Sequence, residues 1–228
     1  MNNLGLIGST GVIGKCLQEQ FTFSHLYNSK NIDTLSDTLF DTVICAAPTS
    51  NRLWTAKNAQ QDYDNISSLI CVLNQIHTNT FILISTVDTQ LHADTAYGRN
   101  RKYLEDAVKA RFANCYVLRL GTIISDNITK NILFDLKNNT FLDSINLEST
   151  LQWTPLAQLK HDIEFVQTAH IREINLLSEP IQNKEIVDKF FRTTNSIGTN
   201  PGEAKFYNVT PAYYTKDIIF NAMAEFLK

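Results

Sequence analysis

The chain lacks the features that would mark a nucleic-acid binder, a membrane protein or a secreted disulfide scaffold. Lys and Arg number 20 against 23 Asp and Glu, a net charge of −3, so no positive field is available to hold a phosphate backbone. The longest apolar runs are pieces such as FILIS at 81–85, well short of the roughly 20 residues a membrane helix needs. MNN leads straight into a short apolar stretch, with no basic segment, long apolar core or small-residue cleavage site. A soluble cytoplasmic protein is therefore expected, with neither nucleic acid nor membrane as partner. Cysteine is sparse as well. Cys16, Cys45, Cys71 and Cys115 stand singly in apolar segments with no CxxC pair and no metal-ligand spacing, and are read as small buried hydrophobes. No His shares a recognisable catalytic motif with any of them. Internal repeats, low-complexity tracts and charge blocks are missing too.

What is present is an ordinary globular composition, 43% hydrophobic and 19% charged, which excludes a disordered chain. Short apolar runs alternate with longer helical patterns, the signature of an α/β fold with a parallel sheet. Strands are expected at Leu4–Gly8, His25–Asn28, Thr42–Ala46, Phe81–Ser85, Tyr116–Leu120 and Glu173–Leu177. Helices are expected at Val12–Gln20, Asp62–Gln75, Arg99–Phe112, Leu156–Gln167, Lys184–Phe191 and Thr215–Leu227. Ile218, Ile219, Ala222, Met223, Phe226 and Leu227 give the last helix one apolar face, suited to the core or to a second copy in a homodimer. Ser125–Thr154 is the least regular span. The expected organisation is one doubly wound, Rossmann-like domain over 1–228, in which 125–228 contributes a small, reduced substrate lobe and closing helices.

Glycine is scarce, eight in all, and its placement is therefore informative. In LGLIGSTGVIG, Gly8, Gly11 and Gly14 follow a strand and open a helix, the context in which such spacing holds a nucleotide. Gly8 suits the tight turn, Gly11 lets a pyrophosphate approach the backbone, and Gly14 lets the helix lie close to the strand. Ser9, Thr10, Val12 and Ile13 complete the cradle, with the helix dipole behind their N–H groups. The second strand ends at Asn28, Ser29 and Lys30 without an acid for the ribose 2′-hydroxyl of NAD, and Lys30 with Ser29 could meet the 2′-phosphate of NADP. NADP is thus favoured over NAD, although a lysine in a turn is also simply solvated.

Together, GSTGVIG, DTVICAAPTS, ILISTVDT, YGRNRKYLE and VLRLG resemble the extended or atypical short-chain dehydrogenase/reductases, which include nucleotide-sugar epimerases and dehydratases. The motifs occur in that family's order over about the first 125 residues. The resemblance implies that Ala46, Ala47 and Pro48 pass the adenosine, and that a hydroxyl after the fourth main strand, a tyrosine and a lysine four residues later do the chemistry. Thr86 matches the hydroxyl and Tyr97 the tyrosine. Arg101 stands in the lysine's place. It could still hold ribose hydroxyls and favour tyrosinate, since it keeps a positive charge. Lys102 lies about 100° further around the helix and should point elsewhere. Asp88 matches an acid used by some dehydratases, but Val87 replaces its partner. Arg119 and Lys130 are further candidates for a sugar-nucleotide diphosphate.

Each residue also has a plainer role. Thr86 suits a strand end bonded to nearby backbone, and Tyr97 an aromatic at the core edge. Two functions follow: an NAD(P)-dependent oxidoreductase or epimerase acting on a carbinol or carbonyl of a sugar or nucleotide sugar, or an NAD(P)-binding protein without turnover, serving as sensor or structural subunit. Thr86 with Tyr97 favours the first, and Arg101 the second.

Overall fold

A computed structural model describes residues 3–35, 38–191 and 197–228; Met1 and Asn2, at the head of the stretch read for a secretory signal, lie outside them. In chain order the elements begin with β1 (Leu4–Ile7), α1 (Val12–Gln20), β2 (His25–Tyr27), β3 (Leu39–Cys45), α2 (Arg52–Lys57), α3 (Ala59–Leu73), β4 (His77–Thr86) and α4 (Asp88–Leu91). There follow α5 (Ala96–Arg111), β5 (Cys115–Leu120), β6 (Thr122–Ile124), α6 (Ile132–Asn138), β7 (Thr150–Leu151) and β8 (Trp153–Pro155). The chain continues through α7 (Leu159–Thr168), β9 (Glu173–Leu176), β10 (Ile181–Gln182), α8 (Asn183–Phe190) and α9 (Lys216–Leu227). No helix among the described residues is long and apolar enough to cross a membrane.

The chain divides into two compact units, one of residues 1–119 with 158–174, the other of 120–157 with 175–228. The first is built on a sheet of strand order β2-β1-β3-β4-β5-β9. β1 pairs in parallel with both β2 and β3, and β3 in parallel with β4. Strands covered on both faces must be apolar throughout, and Phe81, Ile82, Leu83 and Ile84 are all buried. Around Phe40, Val43, Phe81 and Val117 the core gathers Ile66, Leu69 and Leu73 of α3 and Leu104 and Val108 of α5. This is the α/β, Rossmann-like class that the alternation of elements implies.

In the second unit β6 pairs in parallel with β8, and β7 antiparallel with β10. Trp153 is fully buried, and its backbone N–H donates to Ser178 Oγ at 2.9 Å. The Gln152 side chain donates to the carbonyls of Ser178 and Val209, each at 2.8 Å, tying β8 to the chain before α9. The span 125–154, expected to be irregular, contains α6 and two short strands.

Two expectations are corrected. Cys71 is exposed, whereas Cys16, Cys45 and Cys115 are buried; a lone cysteine on a long helix falls on whichever face the apolar stripe assigns it. In α9, Ile219, Met223 and Phe226 are buried but Ile218 is 42% exposed, because neighbours along a helix differ by about 100° and one stripe cannot hold both.

Candidate functional site

All the sequence-derived site residues except Lys130 lie in the first unit. The turn between β1 and α1 is closed by the N–H groups of Gly8 and Ser9, which donate to the Tyr27 carbonyl at 2.9 and 3.0 Å, and by Gly11 N–H, which donates to Gly8 O at 3.1 Å. Gly8 has φ +89°, a conformation glycine adopts at no steric cost. A Cβ on Gly14 would stand 2.1 Å from Gly8 O, so α1 can meet the turn only with glycine there. Gly11 differs. Its Cβ would meet only Gly8 O, at 3.5 Å, leaving open space over the turn that a ligand could use. Thr10 and Gly11 are exposed, Ser9 is buried, and Val12 and Ile13 begin α1, whose first turn carries no acid to repel a phosphate. Gln18 reaches back from α1 to the carbonyls of Ser9 and Gly14 at 2.7 and 3.0 Å, a brace the sequence reading missed.

After β2, asparagines build the turn. Asn28 Oδ1 accepts from Lys30 N–H at 2.9 Å, and Asn31 Oδ1 accepts from Asn28 N–H at 2.7 Å. Ser29 and Lys30 are exposed.

The end of β3 links this turn to the tyrosine. A Cβ on Gly8 would lie 2.8 Å from both C and O of Ala46 and 3.0 Å from Ala47 N, so the glycine turn lies directly on the segment that continues into half-buried Pro48. Two residues further, Ser50 Oγ lies 3.3 Å from the Tyr97 hydroxyl, which donates to it, and the Thr49 carbonyl accepts from the Arg101 guanidinium at 2.7 Å.

α5 begins at Ala96, three residues before the expected start at Arg99, because Thr95 caps it: its hydroxyl accepts from Gly98 N–H at 3.1 Å. Tyr97 and Arg101 are therefore one helical turn apart on one face. The Arg101 guanidinium lies over the Tyr97 ring, 4.2 Å from its centroid, and both residues are buried. Arg101 is also paired with buried Asp62 of α3 at 2.5 Å. Asn100 adds a bond to the same Asp62 oxygen at 2.8 Å. Lys102 turns away and pairs with Asp106, 44% and 54% exposed respectively.

Thr86, at the end of β4, shares a 3.3 Å hydrogen bond with Asp88 Oδ2 and accepts Asp88 N–H at 3.3 Å. Arg52 of α2 meets Asp88 Oδ2 at 2.5 Å and lies 5.8 Å from the Tyr97 ring centroid. Arg119 is not available for a diphosphate. It is buried, and it binds both oxygens of Glu105 at 2.6–3.1 Å and Glu173 at 2.6 Å. Burial opposes its charge, yet these carboxylates outweigh that and hold its pKa above the ordinary arginine value. Glu105 further accepts from Ser85 at 2.6 Å and Thr89 at 3.1 Å, so the knot fixes the strand end that carries Thr86. Lys130 is exposed and belongs to the second unit.

No protein-family model matches the chain, and no curated protein matches it by sequence. Solved structures do resemble it. A dTDP-4-dehydrorhamnose reductase from Bacillus anthracis, in complex with NADP, superposes at TM-score 0.70 with 15% identity, over 100% of this chain and 96% of that one. A UDP-N-acetylglucosamine 4-epimerase from Bacillus cereus gives 0.68 and 13%, over 100% and 98%. An NAD-dependent NDP-hexosamine 5,6-dehydratase of tunicamycin biosynthesis gives 0.66 and 12%, over 98% and 91%. The chain shares their fold. Within it, the glycine turn, the β3 end and the Tyr97 helix form one contiguous set of contacts.

Proposed function

We propose that the chain is a member of the extended short-chain dehydrogenase/reductases that binds NADP or NAD and acts as an oxidoreductase or epimerase on a carbinol or carbonyl of a sugar or nucleotide sugar. One observation carries this reading: residues 46–50 touch Gly8 at one end and bond to Tyr97 and Arg101 at the other, so the turn suited to a dinucleotide and the candidate acid/base are joined by a single short segment. The open space at Gly11 fits a pyrophosphate, held by backbone N–H groups of residues 9–13. A nicotinamide bound there would accept or donate hydride. Tyr97 would pass a proton to or from the substrate oxygen, Thr86 would orient that oxygen, and Arg101 would support Tyr97 and the ribose. The exposed Ser29 and Lys30, with no acid from 28 to 31, support NADP over NAD.

A second reading, cofactor binding without turnover, is favoured by the Arg101–Asp62 pair, which compensates the charge that would favour tyrosinate. Calorimetric titration with NADP and NAD tests the shared premise. Binding is expected, tighter for NADP, and lost in Gly11→Val; no binding of either cofactor at millimolar concentration sinks both readings. Hydride transfer or epimerisation with UDP-glucose, UDP-N-acetylglucosamine or dTDP-4-dehydrorhamnose as probes separates them. Any turnover found should disappear in Tyr97→Phe while cofactor affinity stays nearly unchanged.

A further inference from the structure

Tyr97 is faced by two cations, and each is already paired. Arg101 of α5 lies over the ring at 4.2 Å and binds Asp62 of α3 at 2.5 Å. Arg52 of α2 lies at 5.8 Å and binds Asp88 of α4 at 2.5 Å. His92 is the other titratable group nearby, 3.9 Å from the other Asp88 oxygen. The first pair is the more consequential, since both of its members are buried, where charges are poorly screened.

We infer that Asp62 is a positioning residue for Tyr97: it holds the Arg101 guanidinium face-on to the ring and offsets its charge, so that the acidity of the phenol is set by the pair and not by Arg101 alone. Three contacts leave the guanidinium little freedom. One terminal nitrogen is fixed on Asp62, the other donates to Thr49 O at 2.7 Å, and the Tyr97 ring covers its face. Asp62 is itself held by Asn100, whose side chain also reaches Ala59 O at 3.2 Å. A bare cation beside a phenol favours tyrosinate. A carboxylate bonded to that cation removes most of its field at the ring. On the reading of Tyr97 as acid/base, Asp62 thereby sets the pH at which the tyrosine works.

The test follows the titration of Tyr97 by NMR in protein labelled with 13Cζ-tyrosine, its resonance among the eight tyrosines identified by its loss in Tyr97→Phe. No substrate enters the measurement, so a chain that turns nothing over leaves it intact. Asp62→Asn keeps an oxygen acceptor for Arg101 but drops the charge, and should move the Tyr97 midpoint down by about 1 pH unit. Arg101→Gln should move it up. The double variant, uncharged at both positions, should return to within a few tenths of a unit of the unchanged protein. Shifts of the same sign in the two single variants, or no shift in either, overturn the inference. Should Asp62→Asn fail to fold with its arginine unpaired, the double variant must still titrate below Arg101→Gln, and equal midpoints for those two overturn it equally.

Discussion

Gly98 matters to the tyrosine as much as the helix both occupy. A Cβ there would stand 2.1 Å from the His92 carbonyl oxygen and 2.7 Å from that of Asp88, so only glycine lets α5 start hard against α4 and brings Tyr97 to the segment that follows Thr86. The cysteines show the opposite case, residues whose surroundings silence them. Burial pushes the thiol of Cys45 up to about 12, against a weaker opposing effect of its hydrogen bond to Ala47, and burial likewise pushes Cys115 to about 12. Thiolate is the reactive form, so both are inert at pH 8. With Cys16 buried as well, a disulfide reagent at that pH should titrate one thiol, Cys71, in the native protein and four after denaturation. Rapid loss of a second thiol from the native protein would contradict the burial of the other three.

The elements around the site are joined by Glu105 of α5, which collects Ser85 of β4, Thr89 of α4 and Arg119 of β5. Removing one member of a buried ion pair leaves the other uncompensated, at a cost of about 3–5 kcal/mol. Glu105→Gln leaves Arg119 only the part-exposed Glu173 and should lose stability up to that order in urea unfolding, whereas a loss below about 1 kcal/mol would mean that Glu173 compensates Arg119 by itself. Little of this knot was legible in the sequence. The strand, glycine turn and α1 were, since α1 spans Val12–Gln20 as its local pattern implies. The apolar pattern starts α5 late because its opening AYG carries no apolar stripe, and its start is set by Thr95 instead. Asp62 reads locally as an ordinary acid in the first turn of α3; its partner lies 39 residues away. Ser50 and Thr49 are likewise joined to α5 by contacts spanning 47 and 52 residues, which no periodicity reports.

At the scale of the molecule, Glu173 fastens β9 to the rest of the first unit through Arg119 and, at 3.0 Å, Lys109. The hydrogen bond from Arg119 holds its carboxyl below the ordinary glutamate value, partly opposed by burial and aided by Lys109. A carboxylate whose pKa falls on folding stabilises the native state above its unfolded value and loses that contribution as the pH drops through the folded one. The melting temperature of Glu173→Gln should therefore lie below that of the unchanged protein at pH 7, with the gap closing as the pH is taken below 4.5. Because this side chain is 42% exposed, the gap is small, a few degrees at most, and a gap independent of pH would refute the assignment. The first unit is also discontinuous, since residues 158–174 come back to it after 120–157. During synthesis the glycine turn, Thr86, Tyr97 and Arg101 leave the ribosome long before Glu173 does. Until then β5 lacks the strand beside it, a bare edge that invites pairing with other chains, and Arg119 rests on Glu105 alone. The unit that carries the glycine turn and Tyr97 is thus finished by a late-translated strand that contributes to neither.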